Sequence, residues 1–84
     1  MQFLQGASAT IIGGLNVRNN IFGIDADNAA GLTFASIPPN PSAVQSNGTD
    51  IKLSFGTKST INGVAVGTIV CDGTVLSRGT TVCP

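Results

Sequence analysis

Eighty-four residues leave room for one domain, spanning 1–84, and for no second core. Four basic residues (Arg18, Lys52, Lys58, Arg78) balance four aspartates (Asp25, Asp27, Asp50, Asp72), with no glutamate and no histidine. That inventory excludes a surface that tracks nucleic-acid phosphates, electrostatic steering to anionic lipid, and a closed zinc site.

The charged fraction, 10%, is less than half of the roughly 25% usual in globular chains. So little charge makes a lone copy poorly soluble, and the natural remedy is burial against other copies. Self-association into a homo-oligomer or filament is therefore the first functional expectation. A domain this small also needs help beyond its core, and two cysteines offer it.

In chain order, Phe3, Ala7 and Ile11 recur at helical spacing, with Leu4, Ile12 and Leu15 near the same face. Residues 1–15 thus read either as one short N-terminal helix ended by Gly13-Gly14, or as an extended arm through Ala9–Ile12. Met1–Ile12 is too short and too interrupted for a membrane span, and it lacks the basic region of an export signal. From residue 16 onward the signals are those of strands and turns. Ile21–Ile24 and Leu32–Ile37 are apolar runs, the second stopped by Pro38-Pro39-Asn40-Pro41, which cannot donate ladder hydrogen bonds. Ser46-Asn47-Gly48 reads as a turn.

Ile51-Lys52-Leu53-Ser54-Phe55 alternates, which predicts a strand with Ile51, Leu53 and Phe55 inward. Asn62-Gly63 has the residues of a type I′ turn and predicts a hairpin joining Ser59–Ile61 to Val64–Val66. Val64–Cys71 then forms a long apolar strand interrupted at Gly67. The last eighteen residues repeat weakly as GTIVCD (67–72), GTVLSR (73–78) and GTTVCP (79–84). Hexapeptide repeats can signal a β-solenoid. Eighteen residues are one coil's worth, too little to bury a solenoid core, so a hairpin in a Gly/Thr/Val alphabet is preferred. The expected fold is mainly β: a small antiparallel sheet with a C-terminal disulfide-closed loop and, as an option, the short N-terminal helix.

Cys71 and Cys83 would lie roughly 40 Å apart on one continuous strand, against about 5.5–6 Å between the Cα atoms of a disulfide. Pairing therefore requires Asp72–Val82 to fold back, with its bend near Leu76–Arg78. Closing such a loop is worth about 3 kcal/mol. The alternative is two reduced, buried thiols in a cytosolic protein. The even count, the Gly/Thr-rich surroundings and the near-terminal Cys83 favour the bond, and hence an oxidising compartment.

Chemistry is hard to find. Without histidine the Ser–His and Cys–His nucleophile pairs are excluded, and no phosphate loop is present. Asp25-Ala26-Asp27-Asn28 resembles the opening of a calcium loop, but Ala29 stands where a ligand belongs and no acid closes it. An Asx-rich turn is the preferred reading. Asn47-Gly48-Thr49 fits the N-glycosylation pattern and suggests an exposed turn. Gly13-Gly14 would suit a double-glycine leader, but the acidic residue of such leaders is missing. No catalytic residue, metal or cofactor is expected.

The alternating strand Ile51–Phe55, the apolar strand Gly67-Thr68-Ile69-Val70-Cys71 and the loop closed by Cys83-Pro84 together resemble the C-terminal globular domain of bacterial type IV pilins and pseudopilins. The resemblance covers about residues 50–84. It implies a subunit of an extracellular or cell-surface filament, packing with copies of itself or with other pilus or surface subunits. Cys71 and Cys83 would be the staple, and Asp72, Gly73, Thr74, Val75, Leu76, Ser77 and Arg78 the exposed contact loop. The long hydrophobic helix of that family, with its glutamate, has no counterpart beyond a stub at Met1–Ile12. Two other classes stand beside this one: a secreted bacteriocin-like effector and a virion or phage surface component.

Overall fold

A computed structural model describes residues 1–29, 31–36 and 42–84. Among these the chain winds through short strands that repeat three sides of a coil: β1 (Gln2–Phe3), β2 (Ser8–Ile12), β3 (Asn16–Val17), β4 (Phe22–Asp27), β5 (Gly31–Ala35), β6 (Ala43–Val44), β7 (Thr49–Ser54), β8 (Lys58–Asn62), β9 (Ala65–Val66), β10 (Ile69–Cys71) and β11 (Leu76–Gly79). Every pairing is parallel. Strands β1-β4-β7-β10 form sheet A, β2-β5-β8-β11 sheet B and β3-β6-β9 sheet C. The molecule is a three-sided parallel β-solenoid.

The expected antiparallel sheet and N-terminal helix are therefore both corrected. Residues 1–15 contribute β1 and β2, with Phe3, Ala9, Ile11 and Leu15 packed on the core while Leu4 and Ile12 are more than half exposed. Helical spacing loses because the core is lined by sheets, whose inward positions recur every second residue. Asn62-Gly63 does turn the chain, with Gly63 at φ 67°. It turns a corner between β8 in sheet B and β9 in sheet C, so its flanks are not hydrogen-bonded to each other. Gly67 likewise sits at a corner and divides the expected long strand into β9 and β10. The two strands that carry the pilin resemblance lie side by side, but as parallel neighbours, Ile51 beside Ile69 and Leu53 beside Cys71. The proline cluster Pro38–Pro41 and Ile37 lie outside the described residues.

Register explains the core. Reading down the axis, Phe3, Ala26, Leu53 and Cys71 stack in one column, and Ile24, Ile51 and Ile69 in the next. In sheet B the inward columns are Ala9-Leu32-Ser59-Ser77 and Ile11-Phe34-Ile61, and in sheet C Val17-Val44-Val66. The two middle coils carry the fully buried side chains: Ile24, Leu32, Phe34, Val44, Ile51, Leu53 and Ile61 are all at most 1% exposed. Phe3 caps Phe34 from above, ring centroids 6.1 Å apart and tilted by 54°.

The hexapeptide repeat is the plainest statement of this architecture. The first two units are two sides of the last coil, 67–72 carrying β10 and 73–78 beginning β11, while 79–84 turns under the core. Coil length is irregular, 23 residues from Gln2 to Asp25, 27 from Ile24 to Ile51, and 18 from Ile51 to Ile69. Only the step from β7 to β10 spans 18 residues, three times six, so the period is hidden upstream. The core that one coil cannot bury is supplied by the coils before it.

Burial in the columns sets a clear contrast between neighbours. Leu53→Ala should lower the unfolding free energy by about 2–5 kcal/mol, whereas Val70→Ala, on the outer face, should change it by less than about 0.5 kcal/mol. The Ser59 hydroxyl is buried without a hydrogen-bond partner, so Ser59→Ala should be neutral or stabilising. Urea unfolding followed by circular dichroism measures all three.

Candidate assembly surface

The two ends of the solenoid differ, and the difference follows from their residues. At the C-terminal end Cys71 and Cys83 are disulfide-bonded, Cα atoms 5.9 Å apart. Cys71 faces inward from sheet A. After β11, Thr80 and Thr81 both donate their N–H groups to the Ile61 carbonyl (2.8 and 3.1 Å). The chain then turns under the core, where the Cys83 N–H donates to the Ser77 hydroxyl at 2.7 Å. Cys83 thus ties sheet A to sheet B across the last coil and seals that end.

The residues expected to form a contact loop are distributed by this winding. Asp72, Gly73 and Thr74 make the corner between β10 and β11. Val75 and Ser77 are half-buried, and Leu76 and Arg78 point outward from β11 beside Lys58 and Thr60 of β8. There is no free loop at Asp72–Val82. Leu76 and Arg78 line a shallow depression of about 320 Å³ with Gly31, Thr33, Lys58 and Thr60. Phe55, expected inward, is 66% exposed because it occupies the corner after β7 at φ 53°.

Polar corners lock the coils in register. Asp72 accepts the Phe55 N–H (2.8 Å), the Thr74 hydroxyl and the Thr74 N–H (2.8 Å), and these bonds hold its carboxyl below the ordinary value of 3.8. Asp50 is buried at the corner between sheets C and A. Burial pushes its carboxyl up, but bonds from the Asn47 side chain, the Thr68 N–H, the Asn47 N–H and the Thr68 hydroxyl together bring it below 3.8. Gly67 is required here, since a Cβ at that position would collide with the Asp50 carboxylate.

Asn47 continues the ladder upward. Its Nδ2 donates to Val17 O, Gln45 O and Asp50 Oδ1, and its Oδ1 accepts from the Asn20 backbone at 3.1 Å. The nitrogen a glycan would occupy is already committed to the fold. Asp25 and Asp27, read as part of a turn, instead lie in β4 on sheet A, with Asp25 beside Lys52. Among the described residues no group of three or more His, Cys, Asp or Glu converges on a point.

At the N-terminal end the first coil has a free edge among the described residues: β1, β2 and β3 are each paired on one side only, with β4, β5 and β6. Their inward residues Phe3, Ala9, Ile11, Leu15 and Val17 are half-buried, while the same columns one coil down are closed to solvent. From Gln2 to Val17 there is no charged side chain. Natural sheets guard such edges with lysine, proline or a bulge, because free N–H and C=O groups template pairing. This edge carries no lysine, no proline and no bulge. Sequence reading passes over it because helical spacing competes for residues 1–15; the β-branched, uncharged run Thr10–Ile12 is the available signal.

No protein-family profile, curated protein or solved structure matches this chain.

Two tests follow from the corners and the seal. Both carboxyls are depressed in the folded state, so their contribution is full above pH 3.8 and is lost as pH falls through their folded values. The thermal midpoint should therefore drop below about pH 4, and less steeply in Asp72→Asn. Asp50→Asn can satisfy only one of the two donor pairs, and should cost about 1–3 kcal/mol at pH 7 by urea unfolding. Replacing both Cys71 and Cys83 by serine should remove about 3 kcal/mol in the same measurement.

Proposed function

We propose that the chain is a structural module of an extracellular or cell-surface assembly, of filament-subunit type, that associates with copies of itself. The observation that carries this reading is the uncharged, unguarded sheet edge at the open end of the solenoid, with its half-exposed apolar rim. An isolated edge of this kind is a pairing surface by its own chemistry. The scarcity of charge over the whole chain supports the same conclusion, since little else keeps separate copies apart.

The staple supports an extracellular compartment. A bond such as Cys71–Cys83 is consistent with an oxidising environment, where disulfides persist. The site offers no chemistry that competes with a structural role. The depression beside Leu76 and Arg78 is shallow, and its polar lining is two threonines, one serine, one lysine and one arginine, with no carboxylate among them. It suits contact with another surface subunit better than turnover of a substrate.

Concentration-dependent light scattering with negative-stain imaging tests the reading. Growth of regular oligomers or filaments is the expected result. A protein that stays monomeric at all concentrations and inhibits bacterial growth would instead be a secreted effector. A thiol assay on natively purified, denatured protein should find no reactive thiol, and two would overturn the extracellular assignment.

A further inference from the structure

We infer that β2 is the centre of a two-fold interface, in which the open ends of two copies meet and their β2 strands pair antiparallel about Thr10. This interface rests on the self-association proposed above and specifies its geometry.

The direction of the free backbone groups fixes the register. In β2 the Ala7 carbonyl accepts the Gly31 N–H, and the Gly13 N–H donates to the Ala35 carbonyl. Alternation then turns the odd-numbered groups toward β5 and leaves the N–H and C=O of Ser8, Thr10 and Ile12 pointing out of the sheet edge. With the two-fold axis at Thr10, Thr10 meets its own copy, and Ser8 meets Ile12 of the second chain. Every one of those free groups finds a partner, since residues opposite each other exchange both bonds when their groups face inward to the pair. A shift by one residue would turn bonding groups away from each other and reverse the faces of the side chains.

The same register completes the core. It sets Ala9 opposite Ile11 of the second copy, a small inward residue against a large one. The axis also swaps sheets A and C, bringing β1 over β3 of the other copy. There the matching register pairs Phe3 with Val17, the inward residues of those strands. Between Gln2 and Val17 no side chain is charged; Arg18, set opposite Gln2 by the same register, and the Met1 ammonium, bonded to the Gly23 carbonyl, are the charges that flank the contact. The opposite end cannot serve in this way. Its third side is closed by the inturned Cys83, and its β11 edge carries Arg78.

The interface is tested on the full chain by placing a thiol at its centre. Thr10→Cys with a short bismaleimide should give a covalent dimer, whereas Thr60→Cys, on the same sheet but at an inner strand, should give none. Thr10→Pro removes an N–H that the isolated fold does not use, so it should keep the wild-type circular dichroism and sediment as a monomer. Association of the wild type with no cross-linking of the Thr10→Cys variant would overturn this register and leave self-association standing. A wild type monomeric at every concentration would overturn both. If the thiol introduced by Thr10→Cys were shielded from the reagent in a monomer, a segment of the same protein would cover the edge, and the interface would be overturned.

Discussion

A narrow interior shared by three sheets constrains every inward position, because each must fit the residues directly above and below it as well as those across the core. Parallel stacking in register satisfies that demand with repetition. Isoleucine lies on isoleucine at 24, 51 and 69, and valine on valine at 17, 44 and 66. Where a column departs from repetition, a neighbour compensates. Small Ala26 lies between Phe3 and Leu53, and Phe34 packs against the Phe3 ring above it. The corners follow from this constraint, since a coil that slipped by one residue would put lysine and aspartate into the core. Asp50, buried and bonded to Thr68 of the next coil, resists such a slip because its Oδ2 would lose both Thr68 donors.

Much of this is legible locally and little of it globally. The alternation at Ile51–Leu53 reads correctly because the pleat is the same whichever way the neighbouring strand runs. For the same reason it carries no information on parallel against antiparallel pairing. Asn62-Gly63 marks a turn, but a turn residue fixes a local φ and not whether the next strand returns along the same sheet. Alternation places Phe55 inward, yet the strand ends one residue earlier, at Ser54, where the corner begins. The Gly-Thr repeats are the one long-range signal. Their threonines serve as corner acceptors: Thr68 to the Asp50 N–H, Thr74 to Gly56 and Thr80 to Gly63. Coils of unequal length break the period, and so the repeat looks like an isolated hairpin.

The candidate site is legible in part. Cysteine arithmetic locates the staple, because two thiols in a small domain have few other uses. It cannot show that the staple joins two walls of a tube, which turns the supposed contact loop into a corner and a strand. The open edge is invisible as an edge, since only topology says which strand lacks a neighbour. Its composition is visible from the start: no charged side chain appears before Arg18.

The asymmetry between the ends gives these features one physical meaning. A parallel solenoid adds coils without limit unless something ends it, for each last strand is a template for the next. At the C-terminal end the chain turns inward under the last coil. Cys83 leaves the third side, the Ser77 hydroxyl takes its N–H, and the disulfide holds the turn in place. At the N-terminal end nothing comparable is built among the described residues, and the chain keeps that edge free of the charges that would prevent pairing. In a protein with so few charges, four of each sign, their absence from the first seventeen residues leaves the open rim as the surface where association costs least desolvation. On the pairing proposed for that rim, a one-ended module closes with its partner, and any larger assembly would use side faces, where Leu76, Arg78 and the exposed Phe55 and Leu4 stand.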